Sequence, residues 1–129
     1  VFIVFYLFTE KELSKTKWIK FDQYNVNETI SEGNIVFVDI TADWCITCQT
    51  NKLTTLGTKE IENLFIEKEI KTFRGDWTMK DASILSYLNQ FQRSGIPFNV
   101  IYGPSNTRGL VLPEILTKDT VINSIKLVQ

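Results

Sequence analysis

The sequence has no histidine and only two cysteines among its 129 residues. The lack of histidine excludes a Cys-His protease, a Ser-His-Asp hydrolase and a His-ligated zinc site, because each of these sites needs an imidazole. Two cysteines supply only half of a structural zinc site, so metal binding would require a second chain. The sulfur chemistry of this chain is therefore limited to the two cysteines acting on each other or on a partner.

Features that mark nucleic-acid-binding or membrane-spanning proteins are weak in this sequence. The net charge of -1 gives no electrostatic argument for a nucleic acid or an anionic lipid as partner. Val1–Phe8 is a run of eight apolar residues, whereas a helix needs about 20 to cross a bilayer. No basic segment or small-residue cleavage site accompanies this run, which disfavours a signal peptide. The run is either the end of a transmembrane helix or an N-terminal strand of the sheet.

The composition otherwise fits one globular domain. Hydrophobic residues make up 43% of the chain and charged residues 22%, which is typical of a protein that folds around an apolar core. A length of 129 residues is enough to bury such a core without cross-links. We predict this domain over residues 18–129 and assign residues 1–17 to the apolar segment and a polar linker.

Two cysteines separated by two residues follow an apolar run, Ile35–Val38, that predicts a buried strand. The residues after Cys48 favour a helix, so the pair lies where a strand ends and a helix begins. Unpaired backbone N–H groups and the helix dipole stabilise a thiolate there, and they can lower the pKa of a cysteine from about 8.5 to about 3.5–7.5. We predict that Cys45 is the solvent-facing nucleophile and Cys48 the shielded resolving cysteine. A structural disulfide is the alternative, although closing so short a loop gives little stabilisation.

Hydrophobic periodicity predicts alternating strands and helices along the rest of the chain. Thr58 is predicted to cap one helix, and Thr78–Asp81 has the form of a capping box before another. The predicted strands are Trp18–Phe21, Ile35–Val38, Ile70–Trp77, Phe98–Tyr102 and Leu110–Leu112; the predicted helices are Asn27–Glu32, one after Cys48, one from Thr58, one after Asp81 and one from Lys118; Gly103–Gly109 is a predicted turn. This order predicts an α/β fold whose sheet is mixed.

Three separated motifs give the chain a resemblance to a known family. Residues 36–48, V-F-V-D-I-T-A-D-W-C-I-T-C, resemble the active-site segment of thioredoxin-fold proteins, in particular the C-terminal periplasmic domain of the DsbD thiol:disulfide interchange family. Asp76-Trp77-Thr78 and Gly95-Ile96-Pro97 follow in the family's order. The resemblance covers about residues 18–129 and implies a thioredoxin-like fold, with helices on both faces of a mixed central sheet.

The resemblance also implies a catalytic role for Asp39, six residues before the first cysteine. Burial beneath the helix start would favour the protonated carboxyl, so Asp39 could take the proton of Cys48 as that thiol attacks. A solvated acid at the strand end is the alternative. Strand parity further suggests that Arg74 faces Asp39.

Four residues near the cysteines are predicted to contact a substrate. The indole of Trp44 would cover the disulfide and Asp43 would be an exposed acid that affects docking, although Trp44 could instead pack in the core. The resemblance implies a cis bond between Ile96 and Pro97, facing the cysteines, with the Ile96 backbone free to pair with a substrate strand. An ordinary trans turn is the alternative.

Two residues depart from the pattern of the DsbD family. Lys52 lies one helical turn past Cys48, where the family usually has an acidic residue. A cation there would favour a thiolate and a carboxylate nearby. Phe98 replaces the threonine that commonly follows the proline.

By resemblance, the chain is a thiol:disulfide oxidoreductase that needs no cofactor beyond the Cys45–Cys48 pair. It would be a monomeric domain that acts as a reductant on the periplasmic face of the bacterial inner membrane. A membrane domain of the same full-length chain would supply electrons, and disulfide-bearing protein domains would receive them. This interpretation makes Val1–Phe8 the end of a transmembrane helix. The alternatives are a free-standing periplasmic reductant of the cytochrome c maturation type and a redox-inactive thioredoxin-like binding module.

Overall fold

The computed structural model describes residues 15–129, so the prediction for Val1–Phe8 lies outside the described residues. The strands are β1 (Ile19–Lys20), β2 (Val36–Thr41), β3 (Lys71–Asp76), β4 (Phe98–Gly103) and β5 (Asn106–Val111), and the helices are α1 (Gln23–Ser31), α2 (Ile46–Asn51), α3 (Lys59–Glu67), α4 (Ala82–Asn89) and α5 (Lys118–Val128). Helix α2 continues as a π-helical turn over Lys52–Leu56. Within residues 15–129, no helix combines the length and apolar character that a membrane crossing requires.

The strands form a single mixed sheet in the order β1-β3-β2-β4-β5. Strands β1, β3 and β2 run parallel, whereas β4 is antiparallel to β2 and β5 is antiparallel to β4. Asp39, in the middle of the central strand β2, lies opposite Arg74 of β3 and Asn99 of β4. The predicted mixed sheet is confirmed, and its register brings three polar side chains to the centre of the sheet.

Alternate residues of β2 pack into two separate cores, one on each face of the sheet. Val36, Val38 and Ile40 join the core beneath α1 and α4. Phe37 joins the core beneath α3 and α5. Because successive side chains of a strand point to opposite faces, Asp39 shares the face of Phe37. The helices therefore cover both faces, as predicted.

One predicted helix start is wrong, and two predicted side-chain caps do not form. Helix α1 begins four residues before the predicted Asn27, because Asp22 accepts a hydrogen bond from the Tyr24 N–H and caps it. Thr58 does occupy the N-cap position of α3, but its hydroxyl donates to the Thr55 carbonyl at 2.7 Å instead of capping. The predicted capping box at Thr78–Asp81 does not form, since α4 starts after Asp81 without a side-chain cap.

The predicted turn at Gly103–Gly109 is too long. Strand β5 already begins at Asn106, so the loop of the β4–β5 hairpin is Pro104 and Ser105. The prediction failed because glycine, asparagine and threonine in this segment suit a turn, but an edge strand with an irregular register tolerates them too. Such an irregularity lies between Ile101 and Gly103 of the partner strand.

A buried amide ties the end of α2 to the segment that precedes α5. The Asn51 side chain donates to the Glu114 carbonyl at 2.8 Å and accepts from the Leu116 N–H at 3.0 Å. In the π-helical turn, the Thr55 hydroxyl donates to the Leu116 carbonyl at 2.9 Å. These bonds fix α2 and the π-helical turn that continues it against the segment before α5.

We predict that Asn51→Ala lowers the free energy of unfolding by about 2–3 kcal/mol, because it leaves a buried N–H and a carbonyl without their partner. Urea denaturation measures the change. Thr50→Ala is the matched control, since the exposed Thr50 hydroxyl bonds only to the Ile46 carbonyl of its own helix. It should cost less than about 0.5 kcal/mol. Equal losses in the two variants would contradict the anchoring role of Asn51.

Candidate functional site

Cys45 and Cys48 form a disulfide at the start of α2. Cys45 is the N-cap residue of this helix, with an extended backbone, and its Sγ accepts a hydrogen bond from the Cys48 N–H at 3.2 Å. A free N–H group of the helix start therefore points at the first sulfur, where it stabilises negative charge. Strand β2 ends four residues before Cys45, so the pair lies at the strand-to-helix junction that the sequence predicts.

The first cysteine is less open to solvent than its predicted role suggests. Cys45 is 7% exposed and Cys48 is 3% exposed. Cys48, predicted to be the shielded cysteine, is the more deeply buried of the two, and the roles of nucleophile and resolving cysteine stay a prediction. The prediction that Cys45 faces solvent freely is wrong, because the apolar residues around it cover most of its surface.

Those apolar residues come from the loops on either side of the disulfide. Ala42 is buried against both cysteines, and Ile96 packs on the same cluster. The peptide bond between Ile96 and Pro97 is cis, and Pro97 itself is buried. The predicted cis-proline loop is therefore present and lies beside the sulfur atoms.

Asp39 is buried in the central strand with two hydrogen-bond donors. It is 3% exposed, and its carboxylate accepts from Arg74 Nε at 2.9 Å and from Asn99 Nδ2 at 2.8 Å. A buried carboxylate is tolerated when it is paired and hydrogen-bonded in this way. The alternative of a solvated acid at the strand end is wrong.

Arg74 faces Asp39, as strand parity suggests, and an aromatic ring supports it from the other side. The guanidinium carbon lies 3.9 Å from the centroid of the Trp18 ring. Trp18 in turn meets Phe37 and Phe65 edge to face, with centroid distances of 6.2 and 6.4 Å. Stacking restricts the planar guanidinium to the orientation in which it pairs with the carboxylate.

Lys52 lies half-buried one turn after Cys48. Burial lowers the pKa of the Lys52 ammonium from its ordinary value, and the positive charge of Arg74 adds to that effect. The carboxylates of Asp39, Asp43 and Asp76 oppose the change, but burial and Arg74 outweigh them. The site thus has two cations near one buried carboxylate.

The segment before the first cysteine is held by the loop after β3. The Asp43 N–H donates to the Thr78 hydroxyl at 2.9 Å, and Trp44 Nε1 donates to the Thr78 carbonyl at 3.0 Å. Lys80 Nζ lies 5.2 Å from the centroid of the Trp44 ring. Trp44 is 48% exposed, so the alternative that it packs in the core is wrong. Asp43 is exposed, as predicted.

Sequence reasoning missed three polar residues that organise the site: Asn51, Thr78 and Asn99. Thr78 donates its N–H and hydroxyl to Asp76, and these bonds, with the hydroxyl first, lower the pKa of that carboxyl below its ordinary value. Asn99 offered a signal, because an amide within the apolar run Phe98–Tyr102 must find a partner when buried. Thr78 belongs to the motif Asp76-Trp77-Thr78, but its contacts with the segment before Cys45, like those of Asn51, are set by tertiary packing.

A metal site does not form in the part of the chain that the structure describes. Among residues 15–129, no three side chains of the ligating types come together. The redox group of this site is the Cys45–Cys48 disulfide itself.

The fold and the site together define a class of protein. A C-x-x-C disulfide that begins a helix directly after the central strand of a mixed sheet is the arrangement of thioredoxin-like oxidoreductase domains. The sequence profile of the thioredoxin-like family matches residues 24–104, and the chain belongs to that family.

Solved structures similar to this chain include domains of the predicted kind. The C-terminal domain of Neisseria meningitidis DsbD, in its reduced and oxidised forms, matches with a TM-score of 0.67 and 20% identity over 86% of this chain and 100% and 99% of those chains. A mutant thioredoxin from Halobacterium salinarum matches with a TM-score of 0.62 and 15% identity over 90% of this chain and 93% of that chain. At these identities the likeness shows the fold alone. No curated protein matches the sequence.

We predict that Arg74→Met lowers the free energy of unfolding by about 2–4 kcal/mol, because it leaves the buried Asp39 carboxylate with a single donor and removes the stack on Trp18. Arg93→Met, at an exposed position, is the control and should cost less than about 0.5 kcal/mol. Chemical denaturation measures both variants. The double variant Arg74→Met with Asp39→Asn should recover part of the loss, since the uncompensated charge is then gone. Additive losses would show that Arg74 acts independently of Asp39.

Proposed function

We propose that this chain is a thiol:disulfide oxidoreductase domain that acts as a reductant, passing electrons to disulfide-bearing protein partners through Cys45 and Cys48. The observation that carries the proposal is the position of the Cys45 sulfur, which accepts a backbone N–H of the helix it caps. A thiolate is stabilised by such a donor and by the helix dipole. The fold similarity to DsbD C-terminal domains supports the same conclusion.

The reaction proceeds by two exchanges of sulfur for sulfur. In the reduced domain, the Cys45 thiolate attacks one sulfur of the partner's disulfide, and the other partner sulfur leaves as a thiolate that takes up a proton. The Cys48 thiol then loses its proton and attacks Cys45. The Cys45–Cys48 bond forms, the bond between Cys45 and the partner breaks, and the partner leaves with both of its sulfurs reduced. Two electrons move to the partner in each cycle.

Asp39 is proposed as the group that accepts the proton of Cys48. It lies buried on the sheet face that also carries Phe37, the face covered by α3 and α5. Two further buried oxygens in this region, Thr41 Oγ1 and Asn99 Oδ1, have no hydrogen-bond partner within the described residues. The Thr41 hydroxyl both donates and accepts, so it keeps the capacity to relay a proton, whereas the amide oxygen of Asn99 only accepts.

The proposed partner surface consists of Asp43, Trp44, Ile96 and Pro97. The half-exposed indole of Trp44 offers apolar contact area next to the disulfide. Ile96 packs on the cysteine cluster and leads into the buried strand β4. Its backbone would pair with an extended segment of the partner, which aligns the partner's sulfur with Cys45.

We propose further that the electrons come from a membrane domain and that the domain works outside the cytoplasm, on the periplasmic side of the inner membrane. The support is the combination of the Asp39, Trp44 and cysteine motif with the fold of DsbD C-terminal domains. A free-standing periplasmic reductant would carry out the same exchange with a different electron donor.

We predict that the chain catalyses reduction of insulin disulfides by dithiothreitol and that Cys45→Ser abolishes this turnover. Cys48→Ser should instead accumulate a mixed disulfide between Cys45 and the substrate, because nothing resolves it. Mass spectrometry of the trapped adduct checks the assignment. If neither the wild-type chain nor the Cys48→Ser variant reacts with disulfides, the chain is a redox-inactive binding module.

The equilibrium reduction potential of the Cys45–Cys48 pair against glutathione tests the direction of electron flow. A value of about −120 mV would contradict the assignment as a reductant.

We predict that Asp39→Asn slows resolution of the mixed disulfide by about 100-fold near pH 7, because proton acceptance by a positioned group contributes about that much. Stopped-flow measurement of the release of a fluorescent disulfide substrate follows the step as a function of pH. Asp119→Asn, an exposed carboxylate on α5, is the control and should behave as wild type. An unchanged pH dependence in Asp39→Asn would remove the role of Asp39 as proton acceptor.

A further inference from the structure

Lys52 lies on the same helical face as the resolving cysteine. Its N–H donates to the Cys48 carbonyl, so one α-helical turn separates the two residues, and side chains four apart are neighbours on a helix surface. Side chains of a helix also lean towards its N-terminus. From this geometry we expect the long Lys52 side chain to reach back over the turn that carries Cys48.

The ammonium of Lys52 has charged neighbours but no ion-pair partner among the described residues. The charges that face it are Arg74 and Asp76 from β3, Asp39 from β2 and Asp43 from the loop before Cys45. Each carboxylate has other partners or open solvent around it. Asp39 is bound by Arg74 and Asn99, Asp76 is bound by Thr78, and Asp43 is exposed. Lys52 is thus a half-buried cation without a direct ion pair among the described residues.

We propose that Lys52 is a positioning residue for the sulfur chemistry: its ammonium stabilises the thiolate of Cys48 in the reduced domain. The proposal rests on the proposed function, because a Cys48 thiolate matters only if Cys48 resolves a mixed disulfide. An opposite charge one helical turn away favours the ionised form of a thiol.

In the step concerned, the Cys48 thiol gives up its proton to Asp39, the acceptor proposed above, and the resulting thiolate attacks the Cys45 sulfur of the mixed disulfide. The partner's sulfur leaves with the electron pair of the broken bond and takes up a proton from solvent. Lys52 keeps its own protons throughout. Its effect is to raise the fraction of Cys48 that is already ionised when the attack begins, which speeds release of the partner.

The test uses the full chain with Cys45→Ser, in which Cys48 is the only thiol. With ¹³C-labelled cysteine, the chemical shift of Cβ as a function of pH gives the pKa of Cys48. Lys52→Met should raise the pH of half-ionisation by about one unit, whereas Lys52→Arg, which keeps the charge, should leave it near the parent value. Lys68→Met is the control. This exposed lysine lies just before β3, and Lys71 at the start of β3 pairs with Val36, the residue of β2 that is farthest from the cysteines.

In the chain with both cysteines, Lys52→Met should slow release of the mixed disulfide at pH 7 by up to about tenfold. An unchanged Cys48 titration in a Lys52→Met variant with native circular dichroism would overturn the proposal. Equal changes in Lys52→Met and Lys52→Arg would overturn it too, because charge would then not be the cause. If the titration shifts as expected but the wild-type chain reduces no disulfide, the proposed function fails while the effect of Lys52 on the thiolate is upheld.

Discussion

The structure depends on keeping one buried carboxylate paired. Asp39 lies in the middle of the central strand, where an unpaired charge would cost several kcal/mol. The register of the sheet supplies its partners, since Arg74 and Asn99 are the cross-strand neighbours of Asp39 on β3 and β4. A slip of either neighbour by one residue would turn its polar side chain to the opposite face. The ion pair therefore selects the same register that brings the cis-proline loop beside the cysteines.

The same pairing sets the electrostatics beneath the disulfide. Asp39 and Arg74 pair with each other, so under our proposal the charge that acts on Cys48 is that of Lys52, with the helix N–H group acting at Cys45. Both contributions favour thiolates, so they stabilise the reduced form of the pair relative to the disulfide. The apolar cover of Ala42 and Ile96 strengthens these interactions by excluding water.

Much of this site was predictable because its parts are contiguous in sequence. A strand, two cysteines and a helix follow one another, so the position of Cys45 and Cys48 needs only local periodicity. The lateral neighbours of β2 depend on strand order, which local patterns do not determine, and Asn99 was missed for that reason. The failed capping box has a similar cause: the Thr78 hydroxyl satisfies Asp76 and the Asp43 N–H in place of a helix terminus.

The small exposure of Cys45 constrains how any partner reaches it. Cys45 as a residue is 7% exposed, so a partner must approach it between neighbouring side chains, which include Ile96. A folded, convex partner cannot enter such a gap, whereas an extended segment can pair with the backbone beside Pro97 and present its own sulfur. With a net charge of -1, long-range attraction contributes little to this encounter. Under the proposed function, selectivity among disulfides therefore comes from backbone geometry and apolar fit next to Trp44, not from charge.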